Sequence, residues 1–278
     1  PSPPPPPHLP FARNHKAIEE WRKTLTQVPL KSPFAPVSIP TETAMDTFFS
    51  AIEGHAKTRG DEPAMIDVTH GDKMMTYLEF SMKIRSVAGF LKSRGFRIHG
   101  KAFIAMANCF EWPISHFPVW AVGGSIVGSS ALFTPYEMEK QFRDCGCEVV
   151  ITSENLLGKV MEGTNSCKEI KTIICIRSSN DPLPEGVSDF NEAVSHKPLH
   201  QFEKVSINDP CLIFYSSGTT GEPKGTVISH LAFNSCVTMF VNHWEKETAR
   251  VWTLPRSTGA RSTRSSICPS IIYSDSDS

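Results

Sequence analysis

Short apolar runs alternate with longer stretches of helical periodicity from about residue 41 onward. Continuous apolar runs are typical of strands buried on both faces of a sheet, and their alternation with helices is typical of βαβ units. The runs are residues 64–68, 102–107, 125–127, 149–152, 172–176 and 211–215. The pattern predicts an α/β fold, with a mainly parallel sheet and flanking helices.

Two of the predicted helices begin with a capping box, in which a Thr hydroxyl and a Glu carboxylate satisfy each other's free backbone N–H groups. The boxes pair Thr76 with Glu79 and Thr134 with Glu137, and Gly95 and Gly146 end the same two helices. Glycine is the usual residue just past a helix because it adopts the left-handed conformation at no steric cost. These four positions predict the bounds of both helices.

Composition divides the 278 residues into three regions. Residues 1–40 are a proline-rich, flexible lead, and residues 41–250 carry the α/β pattern of a partial domain. Residues 251–278 are rich in serine and lose the apolar periodicity, so we expect a disordered tail. The polar connection 177–208 is longer than a typical loop, which indicates either a functional segment or a crossing between subdomains.

Charge and cysteine usage narrow the class of protein. The chain has 28 Lys and Arg against 29 Asp and Glu, scattered along its length, so we expect no nucleic-acid partner. Residues 112–136 contain no Asp, Glu, Lys or Arg but are interrupted by prolines, glycines and serines, which favours a buried helix and strand over a transmembrane segment. Eight cysteines occur without a secretory signal or a CxxC pair, so we expect an intracellular protein, cytoplasmic or peroxisomal and not secreted.

Candidate chemistry lies in the loop after the last apolar run. Residues 215–225 read YSSGTTGEPKG, which combines glycines, hydroxyls and a lysine directly after a predicted strand. Glycines let backbone N–H groups approach phosphate oxygens, hydroxyls donate hydrogen bonds, and an ammonium neutralises charge. Phosphate binding is one interpretation, and a surface turn rich in small residues is the other.

The loop does not fit the Walker phosphate motif. Aligning Lys224 with the Walker lysine puts Pro223 where that motif needs a glycine, and Gly225 where it needs a hydroxyl. Proline has no N–H to offer a phosphate. These two residues disfavour a P-loop nucleoside triphosphatase.

The string YSSGTTGEPKG, followed by an apolar run and by Ser229-His230, closely resembles the phosphate loop of the AMP-forming adenylating enzymes, which include acyl-CoA synthetases and 4-coumarate-CoA ligase-like enzymes. The resemblance covers roughly residues 41–245 and implies an incomplete N-terminal adenylation domain. It implies a ligase that joins a carboxylic acid to coenzyme A, using ATP and Mg²⁺. By the same resemblance, the ATP phosphates are held by Ser216, Ser217, Gly218, Thr219, Thr220, Gly221 and Lys224.

The main departure from that family is length. Segments that complete the active site in the family, among them a magnesium-holding acid and a catalytic lysine, are not found here, and the resemblance ends near Glu247. We therefore expect an N-terminal fragment that is inactive alone. The alternative is a natural truncated product without catalysis, which binds nucleotide or binds a partner through its proline-rich start.

Two further residues have side chains that could take part in catalysis. His230 follows the loop, and Cys109 lies beside Asn108, just after the second apolar run. We interpret His230 as a structural residue of the join between loop and helix, because geometry must support a catalytic base before it is assigned. Cys109 has no basic neighbour to lower its pKa, so we interpret it as a small apolar residue.

Overall fold

The computed structural model describes residues 36–67, 72–128, 130–217 and 223–251. Contacts divide the chain after Ser38 into two compact units, and the structure described below is that of the second. The predicted lead up to residue 35 and the predicted tail from residue 252 lie outside the described residues.

The second unit contains seven described helices. They are α1 (Ala44–Thr58), α2 (Tyr77–Ser93), α3 (Trp112–Ala121), α4 (Pro135–Cys145), α5 (Glu154–Thr164), α6 (Phe190–Val194) and α7 (His230–Val251). The two predicted capping boxes are both present at the starts of α2 and α4. Gly95 has a φ of 80° and Gly146 a φ of 61°, so both predicted glycines adopt the left-handed conformation just past their helices.

The described strands form two sheets. They are β1 (Pro63–Asp67), β2 (Lys73–Thr76), β3 (Lys101–Ala105), β4 (Ser125–Gly128), β5 (Val149–Ser153), β6 (Thr172–Ile176), β7 (Val187–Asp189), β8 (Pro210–Ser217) and β9 (Pro223–Ser229). β1 and β2 pair antiparallel on their own, and the other seven form one sheet in the order β7-β6-β5-β3-β4-β8-β9. All neighbours in that sheet are parallel except β8 and β9, which confirms the predicted fold class.

Helices cover both faces of the large sheet. Alternate residues of its strands point to opposite sides, so a single strand contributes side chains to two cores. In β3, Ala102 and Ile104 join a core shared with α1, α2, α3 and α6. Phe103 and Ala105 join a second core shared with α4 and α5. The strand is buried on both faces, which is why its sequence is a continuous apolar run.

The polar connection 177–208 holds more structure than the sequence predicted. It contains β7, at one edge of the sheet, and α6, which buries Phe190 and Ala193 in the first core. Both elements are short, so neither builds a period that sequence analysis can recognise. The predicted buried helix and strand within residues 112–136 are confirmed as α3 and β4. Among the described residues, no helix is long and apolar enough to cross a membrane.

Candidate functional site

The predicted phosphate loop joins two paired strands. β8 lies inside the sheet beside β4, and its carboxyl end is where the loop begins. β9 then returns antiparallel to β8, and the base of the loop is closed by the pairs Ser216–Lys224 and Ser217–Pro223. Ligands of open α/β sheets bind at the carboxyl ends of the strands, which is the edge where this loop lies.

The structure brings some of the predicted site residues together. Ser216 and Lys224 lie directly opposite each other in the ladder, and both side chains are exposed. Side chains of directly opposed residues share one face of a sheet, so a hydroxyl and an ammonium lie side by side at the base of the loop. Ser217 is the last residue of β8, and Gly218, Thr219, Thr220 and Gly221 lie outside the described residues.

Tyr215 ties the base of the loop to a distant helix. Its hydroxyl donates a hydrogen bond to Oδ2 of Asp144, at 2.5 Å, and Asp144 lies in the last turn of α4. Burial raises the pKa of Tyr215 well above its ordinary value, and the bond to Asp144 raises it further. The phenol is therefore protonated at neutral pH and acts as a donor.

Gly225 is the partner of Tyr215 in the ladder, and a side chain at this position would press on the tyrosine ring. A Cβ atom at residue 225 would lie 3.2 Å from Cζ and 3.3 Å from Cε1 of the ring, closer than comfortable van der Waals contact. The ring of Tyr215 thus lies against the backbone of β9, on the opposite face from Ser216.

An apolar cavity of about 400 Å³ opens beside the loop, at the carboxyl ends of β3, β4 and β8. Phe214 and Tyr215 of β8 contribute to its wall, so the cavity and the loop share the end of one strand. Much of the remaining wall is aromatic and includes Trp112, Phe117, Trp120, Phe133 and Phe233. A cavity of this size and composition suits the apolar part of a small molecule.

A buried histidine also lines this cavity. His116 is 7% exposed, its ring stacks on Trp112 at 3.7 Å between centroids, and its Nδ1 lies 2.7 Å from the backbone oxygen of Trp112. A carbonyl oxygen only accepts, so Nδ1 carries the proton and Nε2 is the acceptor. Burial lowers the pKa of His116 to about 4, which keeps the imidazole neutral at pH 7.

His230 and Cys109 both occupy structural positions. His230 is 1% exposed, its backbone N–H donates to the carbonyl of Asp209, and its ring lies 5.7 Å from that of Trp120. Burial lowers the pKa of His230, and burial raises the pKa of Cys109 to about 11. The thiol of Cys109 is therefore protonated at neutral pH, and the ring of His230 is packed inside the join between β9 and α7, in agreement with the interpretation from sequence.

Sequence analysis missed Asp144 and His116. Asp144 lies 71 residues before Tyr215, and no pattern in either segment indicates that the two side chains meet. His116 lies in an apolar stretch in which the only signal is the absence of charge. In the part of the chain that the structure describes, no three His, Cys, Asp or Glu side chains are grouped to hold a metal ion.

Comparison with known proteins identifies relatives along most of the chain. A family model described as "AMP-binding enzyme" matches residues 52–259. The chain is 31% identical over 170 residues to 4-coumarate-CoA ligase 1 of Solanum tuberosum, covering 60% of this chain and 30% of that protein. It is 27% identical over 223 residues to a long-chain-fatty-acid-CoA ligase of Salmonella typhimurium, covering 70% of this chain and 39% of that protein.

Solved structures match the same fold. The anthranilate CoA ligase AuaEII, in complex with anthranoyl-AMP, superposes with a TM-score of 0.61 and 26% identity, covering 73% of this chain and 37% of that one. The acetoacetyl-CoA synthetase of Streptomyces lividans has a TM-score of 0.65 and 23% identity, covering 80% of this chain and 37% of that one, and supports the fold alone. The chain thus spans between 30% and 39% of these relatives' length.

Proposed function

Because the chain belongs to the AMP-binding enzyme family, we propose that it is the phosphate-binding N-terminal part of an AMP-forming ligase that joins a carboxylic acid to a thiol. One observation carries the proposal. The β8–β9 pair places a hydroxyl and an ammonium, those of Ser216 and Lys224, opposite each other at the carboxyl end of the sheet.

The proposed task of the loop is to hold the β- and γ-phosphates of ATP. The paired ends of β8 and β9 form the stem of the loop, and they expose the hydroxyl of Ser216 and the ammonium of Lys224 to solvent. Both groups are hydrogen-bond donors, so the stem fits a polyphosphate. Around the loop, phosphate oxygens would be bound by Ser216, Ser217, Gly218, Thr219, Thr220 and Gly221, with Lys224 supplying positive charge. Mg²⁺ would arrive with ATP and neutralise phosphate charge, and no described residue is assigned to it.

The proposed reaction has two steps. The carboxylate attacks the α-phosphate of ATP to form an acyl-adenylate and pyrophosphate, and the thiol of coenzyme A then displaces AMP. The donors of the loop would stabilise the negative charge that develops on the departing pyrophosphate. The apolar cavity beside Phe214 and Tyr215 would take the apolar part of the acid, since the wall of the cavity and the stem of the loop share these residues.

We further propose that the 278-residue chain binds ATP but does not complete this reaction alone. The matched relatives are about twice as long, and a partial set of active-site groups cannot orient two substrates together. In an ATP–pyrophosphate exchange assay with benzoate, 4-coumarate and octanoate, we expect no exchange above background from this chain. Exchange with any of these acids would overturn the proposed inactivity but support the proposed chemistry.

ATP binding by the chain tests the assignment of the loop. We expect Lys224→Ala to weaken ATP binding at least about tenfold, because it removes a charge-assisted contact. Lys57→Ala is the matched control, since Lys57 is exposed in the last turn of α1, away from the loop in the sequence. Isothermal titration with ATP measures both. Equal affinity of Lys224→Ala and the unchanged chain would rule out the loop as a phosphate site.

A further inference from the structure

The hydrogen bond between Tyr215 and Asp144 connects the base of the loop to the last turn of α4. That helix is not among the elements proposed to bind phosphate. Tyr215 lies three residues before Gly218, near the end of β8, and its side chain is held by another element. Asp144 belongs to α4, on the face of the sheet that packs the second core. The bond is 2.5 Å long and joins a phenol to a carboxylate, a strong class of hydrogen bond.

The helix end that presents Asp144 is itself held firmly. The next residue, Cys145, is buried in the second core, and Gly146 ends the helix with its N–H bonded to the carbonyl of Phe142 at 2.9 Å. Cys147, just beyond, is completely buried. Asp144 is exposed between these anchored neighbours, so its carboxylate is offered from a fixed backbone.

Tyr215 is held on two sides. Its hydroxyl is bonded to Asp144, and its ring lies against the backbone of Gly225 in β9. Because successive residues of a strand point to opposite faces, fixing Tyr215 on one face fixes the direction of Ser216 on the other. Lys224 follows in the same way, since it is paired with Ser216 and precedes Gly225.

We propose that Asp144 and Tyr215 are a positioning pair, which holds the stem of the phosphate loop so that Ser216 and Lys224 face the ATP phosphates before ATP binds. This inference rests on the proposed function of the loop. Neither residue touches phosphate in this arrangement. Their contribution is pre-organisation, because a stem that is already ordered loses less conformational freedom when the ligand binds.

If Tyr215 only filled apolar space, its hydroxyl would not be needed. Tyr215 packs as a partly buried residue against the second core, and phenylalanine would fill the same space. The tyrosine hydroxyl adds a bond to a residue of α4, and it is this bond that the variants below remove or retain.

The test compares ATP affinity across a set of variants by isothermal titration, at a temperature well below the unfolding transition of each. We expect Tyr215→Phe and Asp144→Ala each to weaken ATP binding roughly three- to tenfold, the range expected for one hydrogen bond. The double variant should be no weaker than either single variant, because both remove the same interaction. Asp144→Asn loses the charge but retains an acceptor oxygen, so it should lose less ATP affinity than Asp144→Ala.

Tyr136→Phe is the matched control. Tyr136 lies in the first turn of the same helix and is 64% exposed, so loss of its hydroxyl should leave ATP affinity unchanged. Additive losses in the double variant, or unchanged affinity in Tyr215→Phe, would overturn the positioning role. The proposed function fails separately, since it falls only if Lys224→Ala also binds ATP normally.

Thermal unfolding of the same variants separates positioning from general stability. A purely structural contact would lower the melting temperature of Tyr215→Phe and leave its ATP affinity unchanged, which contradicts the proposal. A loss of ATP affinity in Tyr215→Phe and Asp144→Ala that is smaller in Asp144→Asn supports the proposal.

Discussion

The indole Nε1 of Trp120 donates a hydrogen bond to the backbone carbonyl of Cys211 at 3.0 Å, which joins α3 to the beginning of β8. Both residues are buried, and Trp120 also forms part of the cavity wall. We expect Trp120→Phe to lower the free energy of unfolding by about 2–4 kcal/mol, because it removes a buried hydrogen bond and leaves a void in place of part of the indole. Urea denaturation measures the loss.

Trp112→Phe is the comparison for this prediction. Trp112 lines the same cavity but is only partly buried, so its replacement should cost less. An equal loss in both variants would mean that the bond to Cys211 contributes nothing beyond aromatic volume.

Gly89 in the middle of α2 is required by a close approach of the chain. A Cβ atom there would lie 2.2 Å from the carbonyl oxygen of Lys197, and a backbone oxygen cannot move aside as a side chain does. We expect Gly89→Ala to lower the free energy of unfolding by about 1–3 kcal/mol. Gly158 in α5 has no atom within 4 Å of the same position, so Gly158→Ala should raise it by about 0.5–1 kcal/mol through helix propensity. Denaturant titration of the pair tests whether the signs are opposite.

His116 makes stability depend on pH in the weakly acidic range. Burial lowers its pKa from 6.5 to about 4 in the folded protein, so between these values the unfolded chain binds a proton that the folded chain does not. Stability should therefore fall as the pH is lowered from about 6.5 to 4, by about 3 kcal/mol from this residue. Urea unfolding of His116→Gln across this range should show a flatter dependence, and a dependence as steep as that of the unchanged protein would contradict the assignment.

Glu154 makes stability depend on pH in a more acidic range than His116 does. Its carboxylate accepts four hydrogen bonds, from the backbone N–H and the hydroxyl of both Ser178 and Ser179, at 2.6–2.8 Å. These hydroxyl and backbone donors lower the pKa of Glu154 to about 2.

Below pH 4.5 the unfolded state takes up the proton first, so this contribution to stability is present above that pH and is lost as the pH falls towards 2. Glu154→Gln should remove that part of the acid dependence without changing the part due to His116. Acid titrations monitored by circular dichroism compare the variant with the unchanged chain, and identical profiles below pH 4.5 would refute the effect.

Local signals in the sequence were enough for much of the fold. The capping boxes at Thr76 and Thr134 involve residues three apart, and the buried strands are continuous apolar runs, so both can be recognised without knowing the tertiary structure. The order of glycines, hydroxyls and a lysine in residues 215–225 likewise identified a phosphate-loop candidate from consecutive residues alone.

Only the tertiary structure decided how that loop is held. The bond from Tyr215 to Asp144 spans 71 residues, and the cavity wall combines side chains from α3, β3, β4, β8 and α7. Such contacts depend on which strands become neighbours in the sheet, and parallel neighbours are separated by a helical crossover that leaves no local trace of the pairing. The sequence by itself thus determined the elements and the loop chemistry, whereas packing across the sheet determined which side chains support the loop.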